Sequence, residues 1–223
     1  LFNGSIVVLG RKESSDVPAR LEAIQHPNVI IGGGFFIQKP EHFVDVDVST
    51  GLMIATRHLI QLGHRNIAYV SHTDHSEKLN GYIVALTKAR LPIRKEWIVE
   101  IGFTEKALQE AALRIKEMNP RPTGLVFTSD AIAVRMMRLF RELGLKIPHD
   151  LSITGFDNIE IASFVTPGLT TVRVPTRKIA DLAVRHLVGI VEKQPPRKLQ
   201  SMLTAELVVR NSTGVVAGGV QPM

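Results

Sequence analysis

Short apolar stretches that are typical of β-strands alternate along the chain with stretches whose apolar residues recur at helical spacing. Residues 5–9 form the first strand-like stretch, and Leu52, Ala55 and Leu59 illustrate the helical spacing. Two parallel strands need a crossover between them, and this crossover is usually a helix. The alternation therefore predicts an α/β fold with doubly wound parallel sheets that are covered by helices on both faces.

Caps and helix breakers set the expected limits of these elements. Ser49 is a suitable N-cap and Gly63 a suitable end for the helix between them, and Pro175 favours the start of another helix. The apolar helix and strand after Thr171 need a sheet of their own, which indicates two lobes. The predicted strands are residues 5–9, 28–31, 66–71, 97–101, 123–128, 151–156, 169–174 and 201–210, and the predicted helices are residues 17–25, 49–62, 76–90, 104–118, 130–143 and 175–192.

The composition excludes several classes of protein. Of the 223 residues, 44% are hydrophobic and 22% are charged, which is typical of a globular chain. No apolar run is long enough to span a membrane, and the first residues lack the basic region and cleavage site of a signal peptide. The absence of cysteine excludes disulfides and thiolate metal sites. The 27 Lys and Arg against 21 Asp and Glu are scattered, which favours solvated faces over direct DNA contact.

No motif of a common enzyme class is present. The patterns G-x-S-x-G, H-E-x-x-H, Walker A and G-x-G-x-x-G are all missing. His72 and His75 flank Asp74, which fits a metal site or, more simply, a polar loop. Asp45 and Asp47 alternate along an extended segment as a carboxylate pair would, but no nucleophile or metal motif accompanies them. The sequence therefore predicts no enzyme, no cofactor and no metal.

A carboxylate and an amide follow directly on an apolar strand in the stretch LSITGFDNIE, residues 151–160. Asp157 and Asn158 favour a turn there, because both side chains bond their own backbone. A ligand site is the alternative, because small molecules bind beyond the carboxyl ends of the strands in open parallel sheets. The pattern by itself leaves both interpretations open.

Several stretches carry a resemblance to one family. They read HLIQLGHRNIAYV (residues 58–70), KLNGYIVAL (78–86), FTSDAIA (127–133), IPHDLSITGFDN (147–158) and ELVVRNST (206–213). In order and spacing they resemble the effector-binding core of the lactose-repressor/galactose-repressor family of bacterial transcription regulators. The resemblance implies two doubly wound parallel-sheet lobes of the periplasmic sugar-binding type I, with the N-terminal lobe incomplete.

The resemblance also implies how the chain is divided. Residues 1–45 and 174–203 would form the N-terminal lobe, residues 46–173 and 204–214 the C-terminal lobe, and residues 215–223 a tail. The DNA-binding headpiece and the first part of the N-terminal lobe would be absent. Because the chain also begins without Met and almost inside an apolar strand, we expect it to be a fragment of a longer protein.

Three positions match residues that contact ligands in this family. Asp157 matches an acid that accepts hydrogen bonds from ligand hydroxyls or amines in the cleft between the lobes, a role that suits a carboxylate. Lys78 stands where many members have Arg, which implies that the ligand is held differently here. Phe103 matches an aromatic residue that stacks on the ligand ring, and packing in the core is its alternative interpretation.

Four further positions match the family's ligand-binding pattern. Asp47 matches an acid at the first crossover, although Val48 replaces the Asn that usually follows it. Ser129 and Asp130 match a pair that opens a helix at the edge of the cleft, where Asp130 also suits a capping role. Asp74 lies in a loop that often supplies a polar ligand contact. Together with the three positions above, these residues form the predicted ligand site in the cleft between the lobes.

The function that the resemblance implies is that of a ligand-sensing repressor. A small sugar-like effector in the cleft between the lobes would shift the population of two dimer states and so change the affinity for operator DNA. The expected partners are the effector, operator DNA through the missing headpiece and a second copy of the chain, in the cytoplasm and without membrane contact. A solute-binding protein for sugar uptake is the main alternative, and an α/β enzyme that uses Asp45, Asp47 and Asp157 is the third.

Overall fold

The chain folds into two compact units, each with its own β-sheet. The first unit comprises Leu1–Asp47 and Pro175–Thr204, and the second comprises Val48–Val174 and Ala205–Met223. The chain therefore passes from one unit to the other three times. This computed structural model describes residues 3–9, 23–24, 26–32, 42–72, 76–194 and 200–216.

Strands and helices alternate over most of the described residues. In chain order the strands are β1 (Ser5–Val8), β2 (Asn28–Ile31), β3 (Phe43–Val46), β4 (Ile67–Ser71), β5 (Ile98–Glu100), β6 (Gly124–Phe127), β7 (Ser152–Asp157), β8 (Thr170–Arg173), β9 (Gln200–Leu203) and β10 (Glu206–Val208). The helices are α1 (Val48–Gln61), α2 (Ser76–Lys88), α3 (Glu105–Glu117), α4 (Asp130–Glu142), α5 (Ile161–Phe164) and α6 (Thr176–Val191). Of the helices in these ranges, none has the length and apolar character needed to cross a membrane.

The first unit holds a four-stranded sheet in the order β1-β2-β3-β9. All three pairs of neighbouring strands are parallel. Helix α6 packs on this sheet and buries Ile179, Ala183 and His186, which recur at helical spacing on one face. The apolar stretch after β8 thus packs on a sheet separate from the one that contains β8.

The second unit holds a six-stranded sheet in the order β10-β8-β7-β6-β4-β5. Its strands are parallel except for β10, which pairs with β8 in the antiparallel direction. Ala68 and Val70 of β4 belong to a core that α3 and α4 complete. Ile67 and Tyr69 alternate with them and are also buried, and Tyr82 of α2 donates a hydrogen bond to the Ile67 carbonyl at 2.7 Å. Helices therefore cover both faces, and the predicted α/β class with doubly wound parallel sheets is confirmed.

Local sequence signals explain where most of the helices and strands begin and end, but one predicted helix cap is wrong. Thr104 caps α3 by accepting a backbone N–H of the first turn at 3.2 Å, and Gly63 follows α1 with a φ of 90°. Ser49 is not an N-cap, because α1 begins one residue earlier and Ser49 lies in its first turn. The β-rich stretch 201–210 contributes to two strands in different sheets. The helix predicted for residues 17–25 and the end of the predicted tail fall largely outside the described residues.

Two glycines allow helix α1 to lie close to its neighbours. Gly81 of α2 is buried, and a Cβ at this position would overlap the backbone carbonyl oxygen of Ser49 in α1. A Cβ on Gly51 of α1 would come within 2.9 Å of the Phe156 ring. The stretch KLNGYIVAL therefore needs its glycine because no other residue leaves room for the neighbouring helix backbone.

We expect Gly81→Ala to lower the free energy of unfolding by about 2 kcal/mol or more, because a backbone carbonyl cannot move aside as a flexible side chain can. Thr87→Ala, at an exposed position of the same helix, is the matched control and should change this free energy by less than about 0.5 kcal/mol. Chemical denaturation followed by circular dichroism measures both variants. Equal stability of the two would contradict the close approach of α1 and α2.

Candidate functional site

The carboxyl ends of β4 and β6 mark the point where the connections of the second sheet diverge. From β4 the chain runs through α2 to β5 at one edge, and from β6 it runs through α4 to β7 on the other side. Such a switch point leaves a crevice beyond the strand ends, where the ligands of open α/β sheets bind. The predicted site residues on the elements and turns that begin at this edge are Lys78, Phe103, Ser129, Asp130 and Asp157.

Lys78 connects two of these strand ends from the first turn of α2. Its side chain is 6% exposed, and Nζ donates a hydrogen bond to the Thr128 carbonyl at 2.7 Å. The same ammonium group lies 3.8 Å from the centroid of the Phe156 ring in β7, which is a cation–π contact. A buried charge needs such partners to offset its lost hydration. These contacts therefore tie α2 to the ends of β6 and β7.

Phe103 places an accessible aromatic ring in the turn after β5. Its side chain is 59% exposed, so packing in the core, which was the alternative interpretation of this residue, is wrong. The His72 ring meets it edge-on, with the ring centroids 4.6 Å apart. Arg135 of α4 donates a hydrogen bond to the Phe103 carbonyl at 3.2 Å and forms an ion pair with Glu105 at 2.8 Å. The backbone of the turn is thus held while much of the ring remains accessible.

The carboxylate of Asp130 is fully buried at the start of α4. Its Oδ1 accepts a hydrogen bond from the Thr171 hydroxyl at 2.5 Å, and its Oδ2 accepts one from the Ile159 N–H at 2.9 Å. A Cβ on Gly155 would overlap Oδ1, which explains the glycine of the GFD sequence. Asp130 therefore links α4 to β8 and to the turn after β7.

Burial raises the pKa of Asp130 to about 6. The hydrogen bonds from Thr171 and from the backbone N–H of Ile159 act in the opposite direction, and the negative charge of Asp157 adds to the increase. Two carboxylates are thus electrostatically coupled at this strand end. The inner one is fully buried, and the outer one is half-buried at the end of β7.

Asp157 ends β7 in a sharp turn. The φ of Asp157 is 108° and that of Asn158 is 54°, both in the region of positive φ that Asp and Asn enter more readily than most residues. The side-chain Oδ1 of Asn158 accepts a hydrogen bond from Arg210 at 2.8 Å. The stretch LSITGFDNIE is therefore a strand that ends in a turn, and this turn carries a carboxylate at the switch-point edge.

Two predicted site residues are not part of this edge as described. Asp47 is the last residue of the first unit, and Asp74 lies outside the described residues. Ser129 is the N-cap residue of α4, but its side chain forms no capping hydrogen bond.

Asp45 is buried in β3, where its Oδ1 accepts the Val46 N–H at 2.7 Å. In the part of the chain that the structure describes, no three His or acidic side chains are grouped as metal ligands.

Sequence patterns do not single out three other side chains at this edge. Thr171 and Arg210 bond Asp130 and Asn158 from positions that are distant in the chain. The hydroxyl of Thr128 is buried and has no hydrogen-bond partner within the described ranges. Thr128 lies in the stretch FTSDAIA and Arg210 in ELVVRNST, but neither stretch indicates which contacts these side chains make.

A profile of the periplasmic binding protein-like domain matches residues 56–213. This match covers well over half of the chain. The chain therefore belongs to the family of periplasmic binding protein-like domains.

The relatives and solved structures that are similar to this chain include several transcription regulators. The HTH-type transcriptional repressor PurR of Vibrio campbellii (strain ATCC BAA-1116) is 32% identical over 190 residues, which are 83% of this chain and 57% of that protein. A LacI-family regulatory protein from Chloroflexus aggregans is 28% identical, with a TM-score of 0.83 over 95% of this chain and 77% of that one. The complex of the transcriptional regulator CelR with cellobiose is 25% identical, with a TM-score of 0.83 over 94% of this chain and 65% of that one. The resemblance to the lactose-repressor/galactose-repressor family is confirmed, and the chain spans 57% of the length of the curated PurR relative.

The raised pKa of Asp130 predicts that part of the stability is lost as the pH rises. The ordinary pKa of this group is 3.8 and its pKa in the fold is about 6, so between these values the folded chain keeps a proton that the unfolded chain loses. We therefore expect the Asp130 contribution to the free energy of unfolding to fall between about pH 4 and pH 6, by up to about 3 kcal/mol.

The variant Asp130→Asn separates the contribution of Asp130 to the free energy of unfolding from the contributions of other titrating groups. The hydrogen bond with Arg135 lowers the pKa of Glu105, which gives a slope of opposite sign at acidic pH. The measurement is therefore the difference between the pH profiles of unfolding of the unaltered chain and Asp130→Asn, with the exposed Asp181→Asn as control. Parallel profiles for the unaltered chain and Asp130→Asn would show that the carboxylate is not held in this way.

Replacing the buried ammonium group tests what Lys78 contributes to the fold. Lys78→Met keeps the apolar stem but leaves the Thr128 carbonyl without its donor, so we expect the free energy of unfolding to fall by about 1–3 kcal/mol. Lys88→Met, at the exposed end of the same helix, should change it by less than about 0.5 kcal/mol. Denaturant titration compares the two variants, and equal values would mean that the ammonium contacts add nothing.

Proposed function

We propose that this chain is the ligand-sensing core of a bacterial transcription regulator of the repressor type. A small sugar-like or related effector binds at the carboxyl edge of the second unit's sheet. Binding changes the affinity of the whole regulator for operator DNA, which is contacted by a helix-turn-helix headpiece that lies outside this sequence. The chain itself binds its effector and catalyses no reaction.

The observation that carries this proposal is the collection of ligand-binding groups at one switch point. Asp157 offers a half-buried carboxylate that accepts hydrogen bonds from hydroxyl or amine donors. Phe103 offers an accessible ring against which a flat or apolar ligand face packs. The further proposed ligand contacts are Ser129, Asp47 and Asp74.

Lys78 and Asp130 serve the proposed site in another way. Both charged groups are buried, and both already form bonds inside the second unit. Their proposed contribution is to hold the ends of β6, β7 and β8, so that the groups facing the effector keep their positions. This assignment differs from direct ligand contact, which was the expectation from the family pattern.

The names of the relatives favour a regulator over a solute-binding protein for uptake. PurR is named as a transcriptional repressor, and CelR is a transcriptional regulator solved with cellobiose. These names support a DNA-linked function in the cytoplasm and make a sugar a reasonable effector. In the proposed mechanism, the effector favours one of two states of a homodimer and so shifts their populations.

A binding screen tests the proposed function directly. Thermal unfolding of the chain is measured with monosaccharides, disaccharides including cellobiose, nucleobases and nucleosides, since a bound compound stabilises by about 2.7 kcal/mol at a hundredfold excess over Kd. A compound that binds is recovered unchanged, and it alters operator binding by the whole regulator. Turnover of the compound, or operator binding that ignores it, would contradict a sensor function.

We expect Asp157→Asn to weaken binding of the compound found in this screen by about ten- to a hundredfold, because one acceptor of a charge-assisted bond becomes a donor. The fold should be unaffected, because Asn tolerates a positive φ and forms the same turn as Asp. Calorimetric titration gives the affinities, with unfolding midpoints measured alongside and Asp181→Asn as control. An unchanged affinity would mean that Asp157 only shapes the turn.

A further inference from the structure

The turn that contains Asp157 is held by a side chain from near the other end of the chain. The guanidinium of Arg210 donates a hydrogen bond to Oδ1 of Asn158 at 2.8 Å and another to the Leu169 carbonyl at 2.6 Å. Asn158 begins the connection between β7 and β8, and Leu169 ends it. One planar side chain therefore bonds both ends of this connection, which suits the fixed fork of donors that Arg provides.

Arg210 is itself fixed by the segment that carries it. Its backbone N–H donates to the Thr170 hydroxyl at 2.9 Å, and the N–H groups of Asn211 and Ser212 donate to the Gly168 carbonyl at 3.0 and 2.9 Å. The fully buried hydroxyl of Ser212 also bonds the backbones of β7 and β8. The guanidinium is thus presented by backbone that has little freedom to move.

The turn depends on such support because its backbone conformation is unfavourable. Positive φ values at Asp157 and Asn158 cost free energy and persist only where neighbouring contacts hold them. The Asp130 carboxylate accepts a hydrogen bond from the backbone N–H of Ile159. Arg210 holds the side chain of Asn158. The residue that follows the proposed ligand carboxylate is therefore fixed through its side chain, and the next residue through its backbone.

We propose that Arg210 is a positioning residue for the ligand-binding turn, which fixes the direction of the Asp157 carboxylate through its bond to Asn158. This inference rests on the proposed function, in which Asp157 contacts the effector. The chain enters the second unit at Ala205, directly before β10, and Arg210 follows shortly after this strand. The same side chain therefore also ties the ligand-binding turn to the segment by which the chain enters the unit.

Amide hydrogen exchange of the ligand-free chain, followed residue by residue by NMR, tests this role. In Arg210→Gln we expect exchange at the Ile159 amide to become about ten- to a hundredfold faster, while Leu125 in the central strand β6 serves as the reference for global opening. Arg141→Gln is the matched control, because Arg141 donates to the Thr166 carbonyl in the same connection at 2.8 Å but does not bond Asn158. It should leave exchange at Ile159 within about twofold of the unaltered chain.

Two results would overturn the proposal. Unchanged exchange at Ile159 in Arg210→Gln is one, and an equal acceleration at Leu125 is the other, because it would mean that Arg210 only stabilises the fold. Arg210→Lys is a milder second variant, and we expect it to lose the protection as well, because a point charge cannot bond both acceptors as the fork does. If the Ile159 amide in Arg210→Lys is protected against exchange as fully as in the unaltered chain, the planar guanidinium group is not required. These measurements use no ligand, so their outcome is independent of the effector screen.

Discussion

The carboxylate of Asp130 is the group on which the binding edge of the second unit depends. A fully buried carboxylate is tolerated only where hydrogen bonds replace its hydration. Its donors are the Thr171 hydroxyl in β8 and the N–H group of Ile159 after β7. They reach it only when α4, β7 and β8 are correctly placed at the same time. One side chain thus fixes the relative positions of three elements that are distant in the chain.

Much of the fold can be predicted from the sequence because strand and helix signals act locally. Helix α3 begins where Thr104 predicts it, and the alternation of strands and helices gives the α/β class. The pairing of strands is different, because it depends on contacts between distant segments. Strands β9 and β10 follow each other closely in the sequence but belong to different sheets. Their stretch reads as a single β-rich segment, and nothing local shows the division.

The candidate site is less predictable, because the burial of a charge depends on its partners. Lys78, Asp130 and Phe103 all stand at ligand-binding positions of the family pattern, yet Lys78 and Asp130 are buried among bonds to the protein itself. One of the stretches that carry the family resemblance also has a structural explanation. His64 of HLIQLGHRNIAYV is 2% exposed and bonds the Thr123 hydroxyl at 2.9 Å and the Gly214 carbonyl at 3.0 Å. A recognisable sequence can therefore mark a packing requirement as readily as a ligand contact.

The first unit is built from two separate segments of the chain, and this affects how the protein folds during synthesis. Strand β3 pairs with β2 on one side and with β9 on the other, although β9 follows all of β4–β8 in the sequence. While the ribosome is still making the second unit, β3 stays unpaired at one edge, and an apolar edge of this kind is prone to pair wrongly. Strands β4–β8 pair with one another and can assemble as they emerge, with only the outer edge of β8 left for β10. One edge of β3 is therefore made before the second unit but protected only after it.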